Sequence, residues 1–226
     1  LVYILEHFSV GRYLGNGDRP TPALEKREQA ALRQNGLTRG VLKAGDKLTL
    51  GPGLCLDVLW PDESSRREPR PPSEEKGNNA SLVLRLVWRE TGLALLCGDA
   101  EAPALQALIA KEQRPSHDPP SGTTGQTSLP PRRSGPVAAQ VLVLPHHGSS
   151  SSLTPALYEA VQAKLALASC GYANKWGFPS VEVKKALQAL GIPLLDTAEN
   201  GQIQVLWRTP GSTPEVELAN TKKTAE

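Results

Sequence analysis

Short apolar runs recur along the chain, each stopped by glycine, proline or charged residues, and they predict buried strands. The clearest pair is "SLVLRLVWRE" (81–90) followed by "LALLCGD" (93–99), two strands joined by Glu90-Thr91-Gly92. Upstream, "GRYLG" (11–15) predicts a strand. The segment "TPALEKREQAALRQNG" (21–36) predicts a helix with Thr21 as N-cap, Pro22 in the first turn and Asn35-Gly36 as its stop. Residues 40–60 alternate β-rich runs with "AGD" and "GPG", which is hairpin chemistry. A helix is expected near 102–111. Beyond residue 136 the pattern becomes regular: strand 140–144, helix 155–163, strand 164–169, helix 181–190, then strands at 193–195, 203–207 and 215–218. Hairpins in the first half and strand–helix alternation in the second predict an α/β sandwich, two sheets with helices on their outer faces.

Two stretches break this pattern. Residues 61–79 are polar and proline-rich and predict a loop; residues 113–136, "QRPSHDPPSGTTGQTSLPPRRSGP", have the composition of a disordered insertion, with His117 solvated inside it. The sandwich is therefore expected to run over 1–220 with these two insertions, leaving 221–226 as a tail. The chain has no methionine and opens on "LVYILEHF", the second half of a helix already under way, so it is read as a piece of a longer polypeptide.

Composition narrows the function classes. With 226 residues and 39% hydrophobic content the chain can bury a substantial core. The 25 basic and 23 acidic residues give a formal charge of +2, so no global basic field advertises nucleic-acid binding. An anionic substrate must be held locally. Cys55, Cys97 and Cys170 end or interrupt apolar runs and read as buried free thiols, since an odd count without C-x-x-C spacing suits neither a disulfide framework nor a zinc ribbon. No stretch reaches the 18 to 20 apolar residues of a membrane span.

Candidate chemistry lies where apolar strands end. Gly98-Asp99 closes one strand and "VLVLPHHGSSSS" (141–152) closes another, with His146, His147 and Ser149. A carboxylate and two imidazoles at strand ends match the oxygen and nitrogen ligands of zinc or manganese. The plainer reading makes Asp99 a helix cap and the histidines a satisfied turn. "GNNASLVLRL" (77–86) offers Asn78, Asn79 and Ser81 at a strand start, where asparagine commonly makes turns. "GYANKWGFPS" (171–180) offers Asn174 and Lys175 as donors and Trp176 as an aromatic face, which suits a phosphate and a stacked base.

In this order, "NNASLVLRL", "LLCGDAE", "VLVLPHHGSSSS", "LALASCGYANKWGFPSVEVKKAL" and "GIPLLDTAENGQIQV" resemble the metallo-β-lactamase-like C-terminal domain of ComEC-type DNA-internalisation competence proteins. The resemblance covers nearly the whole chain outside the two insertions. It implies an αββα sandwich, incomplete at its N-terminus, with a two-metal site (zinc or manganese) and a nuclease or phosphodiesterase role on incoming DNA. Asp99 would bridge two ions. One histidine of the 146/147 pair would be a ligand and its neighbour a substrate contact, with Asn79, Ser81, Ser149, Asn174 and Lys175 facing substrate.

The implied partners are DNA and a transmembrane channel domain of the same polypeptide, with no small-molecule cofactor, in a parent protein of the bacterial inner membrane. The family's principal metal motif, H-x-D-x-D-H, is expected upstream of "YILEHFSV". His7 stands without acidic partners and does not replace it. Phe178 occupies a position where many relatives carry a histidine. The fragment is thus expected to be inactive by itself, and a non-catalytic DNA-binding or scaffolding domain is the alternative. Another hydrolase of the same fold, acting on a lactone, thioester or small phosphodiester, is a third reading.

Overall fold

The computed structural model describes residues 1–18, 20–62, 77–112 and 135–219. Most of the two expected insertions, His117 and the tail from residue 220 lie outside them. The end of the first insertion is ordered, however: Asn78–Ala80 form a 3-10 turn leading straight into a strand.

Three parallel hydrophobic runs and four antiparallel ones build a seven-stranded sheet, β3 (Lys47–Gly51), β4 (Leu54–Trp60), β5 (Val83–Trp88), β6 (Thr91–Leu96), β7 (Val141–Val143), β8 (Leu165–Ala168) and β9 (Leu194–Asp196), in that spatial order. β3 to β6 pair antiparallel through hairpins, and β6 to β9 pair parallel. The parallel half needs crossovers. Helices α3 (Ala102–Glu112), α4 (Pro155–Val161) and α5 (Val181–Ala189) follow β6, β7 and β8 in chain order.

The parallel strands read as continuous apolar runs because both their faces are buried. Leu95, Leu142 and Ala166 share one cluster with Leu105 and Leu108 of α3, Leu157, Tyr158 and Val161 of α4, and Val183 and Leu187 of α5. The alternate residues Ala94, Val141 and Leu165 face the other way, against Val205 and Trp207. Those two belong to or follow β10 (Ile203–Leu206), which forms an antiparallel hairpin with β11 (Glu215–Leu218); the Trp207 indole N–H donates to Gln140 Oε1 at 2.8 Å.

A third group comprises α1 (Val2–His7), β1 (Tyr13–Gly15), α2 (Pro22–Gln34) and β2 (Arg39–Val41), with β1 and β2 parallel and a small cluster around Leu5, Ala31 and Leu32. Glu28, almost fully buried, is paired there with Arg39. The Asn16 amide ties this group to the turn before β5 by donating to the Ala80 carbonyl at 2.8 Å.

The expected α/β class is what the structure shows. Among the described residues, though, strands outside the large sheet form two separate two-stranded sheets rather than one second layer. Two local expectations are corrected, the β5–β6 turn and the burial of the thiols. β6 already begins at Thr91, so the turn is Arg89-Glu90 alone; Gly92 lies within the strand because a Cβ there would meet the Ala138 carbonyl at 2.1 Å. Thr21 is the N-cap of α2 as expected, though through its backbone alone, since its side chain makes no capping bond. Of the three free thiols only Cys97 is buried; Cys55 and Cys170 are half-exposed. A short helix not expected from the pattern, α6 (Thr197–Asn200), is capped by Asp196 Oδ1, which accepts the Glu199 N–H at 2.8 Å. No helix among the described residues is long and apolar enough to cross a membrane.

Candidate functional site

Register decides where the chemistry gathers. Leu96 lies opposite Val143, Val143 opposite Leu167 and Leu167 opposite Leu195, so the four parallel strands end together. The loops that leave their carboxyl ends converge on one rim, the usual place for ligands in open parallel sheets. Gly98-Asp99, His146-His147 and Ser169-Cys170 all stand on it.

The first two loops are bolted together. The His146 N–H donates to the Gly98 carbonyl at 2.9 Å. Gly98 adopts φ +52, and a Cβ there would stand 3.2 Å from Cβ of Ser81, so the Asn-Ser segment packs against the Asp99 loop, as a glycine alone allows.

The histidine loop is strained. His146 (φ 46, ψ 46) and His147 (φ 58, ψ 16) both lie in the left-handed region, followed by Gly148 at φ 82. For residues with a Cβ this costs about 1–2 kcal/mol each, and it persists only where surrounding bonds fix it. The serines after it supply them. Ser149 N–H donates to the His146 carbonyl at 2.9 Å, and the buried Ser152 hydroxyl reaches the Pro145 and Ser149 carbonyls at 2.9 and 2.8 Å. Ser180 N–H takes the Gly148 carbonyl at 2.9 Å. The serine run after "HHG" is therefore a brace for the turned histidines.

Each imidazole is held by Nδ1. The His147 Nδ1–H donates to the Ser169 carbonyl at 2.7 Å; a carbonyl only accepts, so Nδ1 carries a proton and Nε2 is the nitrogen turned to the rim. That Nε2 stands 3.4 Å from Asp99 Oδ1, in a half-exposed pair. His146 turns elsewhere: its Nδ1 is 3.2 Å from Glu101 Oε1 and 3.2 Å from the Ser151 hydroxyl. Glu101 Oε1 also accepts from the Ser151 hydroxyl at 3.2 Å and from the Asn78 amide at 3.1 Å. Asp99 and both histidines thus share one rim, but the carboxylate beside His147 is Asp99 and the carboxylate beside His146 is Glu101. Glu101 and Ser151 were not singled out in the sequence; the signal was the acid two places after Asp99 in "GDAE". Among the described residues no three His, Cys, Asp or Glu side chains are grouped so as to hold a metal ion.

The remaining candidates are placed as follows. Asn79 Oδ1 accepts the Ala104 N–H at 3.4 Å in the first turn of α3, and its carbonyl accepts the Trp60 indole N–H at 2.8 Å. Ser81 lies beside Gly98. Ser149 is buried, its hydroxyl 3.0 Å from that of Ser151. Asn174 spends its amide inside its own loop: Oδ1 accepts the Phe178 N–H at 2.7 Å and Nδ2 donates to the Phe178 carbonyl at 2.9 Å. Lys175 Nζ stands 4.7 Å over the Trp176 ring. Phe178 closes the rim, its ring centroid 6.0 Å from His146 and 6.3 Å from His147.

No protein-family model matches the chain. It is 34% identical over 159 residues to the uncharacterized protein YcaI of Escherichia coli strain K12, covering 70% of this chain and 17% of that protein. It is 33% identical over 153 residues to the competence protein ComA of Neisseria gonorrhoeae, covering 66% of this chain and 19% of that protein. With the ComE operon protein 3 of Bacillus subtilis strain 168 it shares 32% identity over 208 residues, covering 91% of this chain and 22% of that protein. The chain is a relative of ComEC-like competence proteins and spans about a fifth of their length.

Proposed function

We propose that this chain is part of a divalent-metal-dependent nuclease or phosphodiesterase domain, of the metallo-β-lactamase-like αββα type, in a membrane protein of DNA uptake. The observation that carries this reading is the His147–Asp99 pair. With Nδ1 tied to the Ser169 carbonyl, the ring turns Nε2 toward a carboxylate oxygen 3.4 Å away. A nitrogen and an oxygen donor held side by side are what a divalent cation would take together. Nitrogen and oxygen ligands about 2.0–2.2 Å from a tetrahedral zinc stand about 3.4 Å apart, which is the spacing found. A backbone carbonyl holding the far nitrogen of a ligand imidazole is the usual supporting contact.

Two ligands are fewer than the three of a catalytic zinc site, so ligands outside the described residues would complete it. The upstream H-x-D-x-D-H motif of the resemblance is the source we propose. The ion would supply an acidified water and stabilise charge on the phosphodiester oxygens. The protein's own part is positioning: Asp99 and His147 fix one edge of the site, Glu101 orients His146 through Nδ1, and the serine brace keeps both rings in place. The substrate is DNA, and a channel domain of the same polypeptide in the inner membrane would deliver it.

The test is cleavage of DNA by the full-length parent with manganese or zinc. Asp99→Ala and His147→Ala should each abolish it. Absence of metal-dependent cleavage, or cleavage that survives both substitutions, would overturn the reading. A non-catalytic DNA-binding or scaffolding domain is favoured by one observation, Phe178, which puts a ring without donor or acceptor beside both histidines. DNA binding that survives chelators and Asp99→Ala, with no cleavage, would select that alternative.

A further inference from the structure

The loop between β8 and α5 sets two rings in line with His147 of the loop after β7. Trp176 and Phe178 have centroids 6.1 Å apart with planes 11° from parallel; Phe178 and His147 are 6.3 Å apart and 20° from parallel. This ladder runs from open solvent to the His147–Asp99 edge. At its outer end Trp176 is 67% exposed, and Tyr172 of the same loop is 89% exposed. Large aromatic rings so far out of the core bury little apolar surface for the fold itself, and nothing in the packing of the described residues accounts for them.

The loop is also held rigid. Asn174 grips both the N–H and the carbonyl of Phe178, and its carbonyl accepts the Gly177 N–H at 3.1 Å. Gly177 turns at φ +66 between the two rings, letting Trp176 and Phe178 face the same way. A platform fixed before binding costs little entropy when a flat ligand settles on it. Lys175 Nζ lies 4.7 Å over the Trp176 ring, so its flexible side chain swings aside when a base stacks there and leaves the ammonium at the platform's edge.

We propose that Trp176, backed by Phe178 and His147, is a stacking platform for an unpaired nucleobase, with Lys175 on the adjoining phosphate, so that the site takes single-stranded ends in preference to paired duplex. Bases stack on aromatic side chains whatever their identity, whereas bases within a duplex have no free face to offer. This deepens the phosphodiesterase reading and rests on it for the identity of the ligand as nucleic acid. It requires no metal.

Binding is measured on the full-length protein with a chelator present, using three fluorescent probes: a twelve-residue thymidine strand, the same number of phosphates on an abasic strand, and a duplex. The thymidine strand should bind more tightly than the abasic strand. Trp176→Ala should weaken it about tenfold to a hundredfold, the effect of one lost stack, with the abasic probe unchanged. Trp176→Phe keeps a ring and should retain most of the affinity, which separates stacking from damage to the loop. Lys175→Ala should weaken both strands equally and flatten the salt dependence by about one phosphate contact.

Equal losses on the thymidine and abasic probes, no loss, a preference for duplex, or no binding to any probe would each overturn the platform. If metal-dependent cleavage persists while binding ignores Trp176, the platform fails and the hydrolase reading stands. Trp176-dependent binding without cleavage by the full-length protein has the opposite meaning.

Discussion

His147 Nε2 faces Asp99 Oδ1 at 3.4 Å while the opposite nitrogen of the same ring is tied to the Ser169 carbonyl at 2.7 Å. The ring cannot turn away from the carboxylate without breaking that bond, so a nitrogen and an oxygen donor stay side by side for the proposed cation. Zinc or manganese at a hundredfold excess over its dissociation constant should stabilise the full-length parent by about 2.7 kcal/mol. For a domain of this size that is a rise in Tm of about 5–10 °C. Asp99→Ala should remove the rise. A melting curve indifferent to both metals would refute the shared-cation interpretation.

Glu101 gathers Asn78, Ser151 and His146 on one carboxylate oxygen. That oxygen is the common partner that orients the His146 ring. Glu101→Gln keeps the shape and should lower metal affinity or cleavage of the parent by about 10- to 100-fold, the usual effect of losing such a supporting partner. Ser151→Ala, which leaves the carboxylate in place, should cost less. The ratio of the two losses, measured in one cleavage assay, is the check.

Gly148 sits at φ 82 with no room behind it: a Cβ would stand 2.8 Å from Cβ of Pro179 and 3.1 Å from its Cα. Gly148→Ala combines left-handed strain with collision against a proline ring. Destabilisation of about 2–3 kcal/mol is expected, read from denaturant midpoints. Gly36→Ala, also at positive φ but facing open space, should cost only the strain.

Asn174 makes two hydrogen bonds to the backbone of one residue, Phe178. Asn174→Ala should cost about 1–2 kcal/mol. Its local signature is faster hydrogen exchange at the Phe178 amide, with the amides of β7 and β8 unaffected. Exchange that quickened throughout the sheet would mean the loop is not a separate unit.

Tyr158 is fully buried in the main cluster, and its hydroxyl has no hydrogen-bond partner among the described residues. Burial, followed by the nearby Cys97, pushes its pKa above the ordinary 10.0. A raised pKa in the folded state means that folding opposes the phenolate. The associated stability is whole below pH 10 and is lost as pH climbs beyond it. Tyr158→Phe removes the buried hydroxyl and this alkaline penalty together. It should be neutral or stabilising by about 1 kcal/mol at pH 7, with a larger gain above pH 10, measured by urea unfolding across that range.

What the sequence determined by itself was local. Apolar runs bounded by glycine and charge marked β5 to β8, most plainly the parallel strands β7 and β8, whose faces are both covered. Cap and stop residues marked α2 within two residues at its ends. Gly98-Asp99 and His146-His147 could be placed at strand ends on the same grounds, and their convergence followed from parallel register, which no local pattern encodes. Only the tertiary structure decided which imidazole meets which carboxylate, since that depends on left-handed turns at two histidines and on a carbonyl, Ser169, from a third strand. It likewise brought Glu101 to His146 and Phe178 to His147, contacts whose partners lie far apart in the chain and are set by packing rather than by propensity.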